Sequence, residues 1–305
     1  MKKFTLLVLL FACAGFLLAE GATEEGEYPS KNITAIIPYD AGGGSDTITR
    51  IIDKYIKDEL GVRFDFVYRT GAGGAVGTTA IKGEKPDGYS IAAVNIPHIV
   101  LQSITGSGDF KEEDFDYIAQ MATTSMILVT PAGSNITSLD EFIKEAKNRP
   151  GELTVGCPGA LSDSNIAAWM LQEEAGIDFT VVNYTGGSDL LSATLGGHVD
   201  AAFSAINMTI PEIESMNTLA LVAKERSDQL PDLKTFIELG YDVLSYTARI
   251  YVAPAGLPES RYNALVDAFK AVYDNPDYQK DIQKANFISG WLPGPELEEF
   301  VLDYG

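Results

Sequence analysis

Ile33-Thr34-Ala35-Ile36-Ile37-Pro38, running into Tyr39-Asp40-Ala41-Gly42-Gly43-Gly44-Ser45-Asp46, decides the architecture. The first half is a short apolar run rich in β-branched residues and reads as a buried strand. The second half is small and polar. It opens a helix whose apolar residues Ile48, Ile51, Ile52, Tyr55, Ile56 and Leu60 share one face. Gly61 stands where such a helix stops. Strand, glycine loop and helix then recur. Arg63 to Tyr68 reads as a strand, followed by Gly71-Ala72-Gly73-Gly74-Ala75-Val76-Gly77 and a short helix through Ile81. Ser90 to Val94 is the next strand, after the turn Lys85-Pro86-Asp87-Gly88. The alternation predicts an α/β fold with a parallel sheet and helices on its faces.

A second series follows. Met126 to Thr130, Leu153 to Gly156, Phe179 to Asn183, Val199 to Phe203, Thr218 to Ala223 and Ile250 to Ala253 read as strands. Ser138-Leu139-Asp140-Glu141 reads as a capping box. The helix after Cys157 to Ser164 has Ile166, Trp169 and Met170 among its apolar positions, and helices over Glu259 to Tyr273 and from Pro276 onward close the chain. Residues 157–164 and 184–189 form two more small-residue loops at strand ends. In open α/β sheets ligands sit outside the carboxyl ends of strands. Amide groups at loop-to-helix junctions favour anions there, and glycine lets successive amides gather around one.

Charge restricts the partners. The chain has 305 residues, 43 acidic against 22 basic, and a formal net charge of −21. That balance argues against nucleic acid or an anionic membrane surface as a partner. Loops 39–46, 71–77, 157–164 and 184–189 contain no Lys or Arg. An anionic ligand would therefore rest on backbone amides, hydroxyls, Tyr184 and water, with Arg69, just before the second loop, and Arg249 as the nearby cations worth naming. Asp46 would repel an anion and reads as a helix cap, an anchor for a water, or a partner for a ligand ammonium or hydroxyl.

The amino terminus reads as an export signal. Basic Lys2 and Lys3 precede Phe4 to Ala19, an uncharged run too short for a membrane span of about 20 residues. Cleavage after Ala19 would leave residues 20–31 as a flexible acidic lead-in and place the protein in the periplasm. Leu10-Phe11-Ala12-Cys13 loosely resembles a lipobox, which leaves lipidation of Cys13 open. Removal of the signal leaves Cys157 as the one cysteine, so no intramolecular disulfide forms. His98 and His198 are isolated from other metal-ligating residues, and no metal site or cofactor is expected. Enzyme templates fit poorly: neither glycine loop matches G-x-G-x-x-G, and no phosphate-binding G-x-x-x-x-G-K-[ST] or nucleophile elbow is present. His98 follows Pro97 in an expected loop and is a candidate to touch ligand.

GGGSD at 42–46, GAGGAVG at 71–77 and PDGY at 86–89, in series, are similar to the extracytoplasmic solute receptors of tripartite tricarboxylate transporters, the Bug proteins. Arg149-Pro150-Gly151, Leu195-Gly196-Gly197-His198-Val199-Asp200, Leu230-Pro231-Asp232 with Thr235, and Ala253-Pro254-Ala255-Gly256-Leu257-Pro258 extend the resemblance to nearly the whole chain from Ile33. It implies a two-lobed periplasmic-binding-protein fold (type II-like), each lobe a mainly parallel sheet flanked by helices. Residues 32–126 plus 248–305 would make lobe 1 and residues 127–247 lobe 2. The implied function is capture of a di- or tricarboxylate by lobe closure, without catalysis, and delivery to the membrane permease subunits of such a transporter by a monomer. A sensor that presents ligand to a membrane signalling partner, or an exported hydrolase using the same cleft, is the alternative.

Carried over by position, the resemblance implies a ligand site built from Tyr39, Gly43, Gly44, Ser45, Asp46, Gly71, Gly73 and Gly74 in lobe 1. Ser162, Ser164, Tyr184, Thr185, Gly186 and Ser204 would complete it from lobe 2, with His98 added as a cleft residue. Two departures stand out. Ser204 takes the place of an aspartate found in amino-acid-binding members, which points away from an amino-acid ligand. Ala248, beside Arg249, takes the place of a tryptophan.

Overall fold

The structure is a computed structural model that describes residues 28–304. The expected signal at 1–19, with Cys13, and most of the acidic lead-in lie outside the described residues. No helix among the described residues is long and apolar enough to cross a membrane.

Strand β1 (Ile33–Ile37) pairs in parallel with β2 (Phe64–Tyr68) on one side and β3 (Ser90–Ile96) on the other. Beyond β3 lie three strands that run antiparallel to their neighbours: β10 (Thr247–Pro254), β4 (Phe115–Thr124) and β11 (Ile288–Pro293). The order in this first sheet is β11-β4-β10-β3-β1-β2. The second sheet repeats the plan with β5 (Met126–Pro131), β6 (Thr154–Pro158), β7 (Thr180–Tyr184), β8 (Ala201–Ala205) and β9 (Met216–Val222), in the order β7-β6-β8-β5-β9. There β6 pairs in parallel with β7 and β8, while β5 runs antiparallel to β8 and β9. Each sheet thus keeps a parallel trio and is widened by antiparallel strands. The chain passes from the first sheet to the second across Ser125 and returns between Val222 and Thr247.

Helices cover both faces of each sheet. In β1, Ile33, Ala35 and Ile37 join one core with Ile48, Ile52 and Ile56 of α1 (Gly44–Leu60). Ile36 joins the opposite core with Ile81 of α2 (Ala75–Lys82) and with Ile99 and Val100 of α3 (His98–Ile104). This is the period-two alternation of a strand buried on both faces. The second sheet is covered by α4 (Leu139–Asn148) and α5 (Asp163–Ala175) on one face, and by α6 (Gly187–Leu195) and the single turn α7 (Ile206–Thr209) on the other. Helices α8 (Glu259–Asp274), α9 (Pro276–Lys284) and α10 (Gly294–Tyr304) complete the first unit.

Several local expectations change. His98 begins a helix instead of sitting in a loop. β4, β11 and α10 are additions to the strands and helices read above. The face that α5 buries carries Ala167, Ala168, Leu171 and Ala175, while Trp169 is 48% exposed. On the opposite face of β6, a Cβ at Gly156 would meet Leu190 of α6. At α4 the box is half formed. Ser138 Oγ accepts the Glu141 amide at 3.3 Å, but the Glu141 carboxylate accepts from Thr137, one residue earlier.

Candidate functional site

A cavity of about 60 Å³ lies where the carboxyl ends of both parallel trios face each other. The first sheet contributes Tyr39, Asp40, Gly43, Gly44, Ser45, Asn95, His98, Thr247 and Arg249 to its wall. The second contributes Met126, Pro158, Asp163, Gly186, Gly187, Ala205 and Met208. That volume admits several water-sized groups, so the lobes stand closed around space for a small ligand.

Two helices aim their N-termini here without a side-chain cap. Gly43 precedes α1 and Gly186 precedes α6, one from each sheet, and neither residue can supply a capping oxygen. The first-turn amides of a helix have no intrahelical acceptor, so these carry a partial positive charge toward the cavity. By contrast α5 is fully capped: Ser162 Oγ accepts the Asn165 amide at 3.3 Å while the Ser162 amide donates to Asn165 Oδ1 at 3.1 Å. The Asn165 side-chain amide also donates to Asn183 Oδ1 at 2.9 Å.

Arg249 is the cation in the wall. It is the only charged residue of β10, whose eight residues are all buried. Its Nη1 donates to Ser45 Oγ at 3.0 Å and Asn95 Oδ1 at 3.3 Å, and its Nε donates to Thr124 Oγ1 at 3.4 Å. The guanidinium lies over the Cα of Gly44, where any Cβ would collide with Nη2. Among the described residues no carboxylate oxygen lies within 4.0 Å of it. Burial depresses its pKa, and the nearby Asp163 carboxylate opposes that. An anion held by backbone alone is therefore not what the cleft offers: one fixed arginine, supplied by a strand and not by the glycine loops, faces the cavity.

Asp163 faces it from the other lobe, in the first turn of α5 and 1% exposed. Its Oδ2 has no hydrogen-bond partner among the described residues. Burial pushes its carboxyl up to about 6, against the Thr247 hydroxyl and Arg249, which favour the charged form. Asp40 Oδ2 is likewise unpartnered and lies against the Cα of Gly186 across the cleft. Burial and Asp189 raise the Asp40 carboxyl. His98 is 5% exposed and packs edge-on against Tyr39 with ring centroids 5.7 Å apart. Burial and Arg249 push its imidazole down to about 3, so it is neutral at physiological pH.

The residues singled out from sequence fall into two groups. Tyr39, Gly43, Gly44, Ser45, His98 and Gly186 line the cavity together. The others lie outside its wall. Asp46 turns back into its own lobe, accepting from the Gly42 amide and Tyr68 hydroxyl, both at 2.7 Å, and pairing with Arg50 at 2.9 Å. Gly73 touches the opposite lobe at Ala160, and Gln102 of α3 holds its carbonyl at 2.9 Å. Gly74 packs under the Tyr39 ring, and Gly71 beside Val76. Ser162 caps α5, Ser164 Oγ donates to the Phe203 carbonyl at 3.2 Å, and Ser204 pairs with Ile127 inside the second sheet. Tyr184 ends β7, and Thr185 is exposed beyond it. Arg69 is exposed away from the cavity wall. Asp40, Asn95, Asp163, Thr247 and Arg249 are wall residues beyond that set. A lone arginine in an apolar strand was the available signal for the last.

Two α/β lobes closed on a small cavity whose wall holds one cation and two carboxylates define a solute-binding protein. The chain matches the family described as Tripartite tricarboxylate transporter family receptor (TctC) over residues 48–296, and it belongs to that family of periplasmic solute-binding proteins. The UPF0065 protein in gbd 5'region of Cupriavidus necator is 29% identical over 294 residues, covering 96% of this chain and 90% of its own. Protein BugT of Bordetella pertussis is 30% identical over 219 residues, covering 70% and 67%. Among solved structures, MatC from Rhodopseudomonas palustris with bound malate shares the fold with a TM-score of 0.83 at 22% identity, covering 90% of this chain and 97% of its own. A second R. palustris protein, with adipate, gives 0.85 at 20%, covering 90% and 94%.

Proposed function

We propose that this chain is an extracytoplasmic receptor that closes its two lobes on a small organic carboxylate and delivers it to the permease subunits of a tripartite transporter. The observation that carries the reading is Arg249, a buried guanidinium with no carboxylate partner among the described residues, fixed beside the uncapped start of α1. A buried cation with no carboxylate in direct contact is costly, and a ligand carboxylate would supply that contact. The malate and adipate held by neighbours of the same fold support a carboxylate ligand.

Residues 32–124 together with 247–304 would move as one lobe and 126–246 as the other, hinged at Ser125 and at the return to β10; Met126 in β5 and Thr247 in β10 shift each expected boundary by one residue. In the open form a carboxylate would meet Arg249 and the α1 amides of the first lobe. Closure would then add the α6 N-terminus and exclude water, strengthening each polar contact. No bond is made or broken.

A thermal-shift screen of di- and tricarboxylates with their hydroxy and amino analogues tests this. Ligand at about 100 times Kd stabilises a protein by roughly 2.7 kcal/mol. Failure of every organic acid to raise the unfolding temperature at millimolar concentration would refute the carboxylate reading.

A further inference from the structure

The wall of the cavity carries one cation and two carboxylates, and they are distributed unevenly. Arg249 and Asp40 belong to the first lobe and Asp163 to the second. Arg249 has its three hydrogen bonds to neutral oxygens and no carboxylate within ion-pair distance among the described residues. Asp163 Oδ2 and Asp40 Oδ2 are both buried and both unpartnered. Ionised carboxylate oxygens only accept hydrogen bonds, so whatever completes them must donate. A ligand made of carboxylates alone would satisfy Arg249 but bring further negative charge and further acceptors against Asp163 and Asp40.

We propose that the ligand is a zwitterion, an amino acid or close amino carboxylate, with its carboxylate on Arg249 and the α1 N-terminus and its ammonium on Asp163. This rests on the solute-receptor reading above and narrows it. The geometry then explains closure: the negative end is taken by one lobe and the positive end by the other, so one molecule draws both together. Asp40, lying on Gly186 across the cleft, adds a second carboxylate that favours a cationic group in the same space. Ser204, the position that argued against an amino-acid ligand, pairs within β8 and β5 outside the cavity wall. The acidic partner comes instead from the start of α5. The raised pKa of Asp163 is consistent with a carboxylate waiting for a cationic partner.

The test is a thermal-shift and calorimetric comparison of the standard L-amino acids with their deaminated counterparts, such as aspartate with succinate and alanine with propionate. Stabilisation by one or more amino acids, with the deaminated match weaker by about 100-fold, supports the proposal. Stabilisation by nitrogen-free di- or tricarboxylates with no preference for an amino group overturns it while leaving the carboxylate receptor intact. No response to any acid overturns both. Asp163→Asn, which keeps the side-chain shape, is expected to lose the amino-acid preference with the Arg249-dependent carboxylate response retained. Should that variant not fold, the wild-type comparison alone decides.

Discussion

Gly73→Ala perturbs the closure of the lobes at a point where the contact is backbone against backbone. Gly73 has φ 64° and ψ 24°, a left-handed conformation that costs an alanine about 1–2 kcal/mol. That strain belongs to the first lobe in any state, and it should lower the unfolding temperature of the free protein by roughly 2–4 °C per kcal/mol. A second cost arises only on closure. A Cβ at Gly73 lies 2.9 Å from the Ala160 carbonyl oxygen and 3.3 Å from its nitrogen, inside an ordinary contact of about 3.5 Å. Neither partner atom can rotate away, and Gln102 pins the loop from behind through the Gly73 carbonyl. Forcing a methyl into such a contact costs about 1–3 kcal/mol, which corresponds to ligand binding weakened roughly 5- to 150-fold. Calorimetric titration with the best ligand of the thermal screen, alongside unfolding of the free protein, separates the two costs. A variant that loses stability but binds with unchanged affinity would refute the claim that Gly73 meets Ala160 in the bound state.

The Asp163 carboxyl has an ordinary value of 3.8 and is pushed up to about 6 in the fold, so the native protein holds a proton that the unfolded chain has released. Its contribution to stability is therefore greatest below about pH 4 and is lost as the pH rises through about 6. Relative to Asp163→Asn, the free wild-type protein should gain roughly 2 kcal/mol between about pH 7 and pH 4, read from denaturant unfolding at each pH; a flat difference would contradict the assignment. Cys157 is fully buried and its thiol is pushed up by burial, so iodoacetamide should modify it only after denaturation, as mass spectrometry would report. Phe203 is fully buried and stacks on Phe236 with centroids 6.1 Å apart. Phe203→Ala should cost about 3–5 kcal/mol in urea unfolding, and a loss well under 1 kcal/mol would show that this core is loosely packed.

The glycine loops and the strand before each were legible because glycine and β-branched runs punctuate the chain locally. Ile33–Ile37 and the stop at Gly61 follow directly from that. β4 was hidden because Asp116, Gln120, Thr123 and Thr124 interrupt its apolar residues, which gives neither a continuous apolar run nor a strict alternation. The buried face of α5 was not marked by the large residues Ile166, Trp169 and Met170, because Ala167, Ala168 and Ala175 line it with Leu171. The charged part of the cleft was the least legible. Arg249 and Asp163 are 86 residues apart in sequence and come from different lobes, so only closure brings them to one cavity. Attention to loops favoured Ser162 and Ser164, which serve structure, over the aspartate between them.

The most direct measurement is calorimetric titration of wild type and Arg249→Gln with the acid that stabilises the protein most. One saturable site is expected, weakened about 100-fold or more by the substitution in a variant that still unfolds cooperatively. Equal affinity in the two proteins would contradict it, because the carboxylate would then be held without the guanidinium at the centre of the cleft.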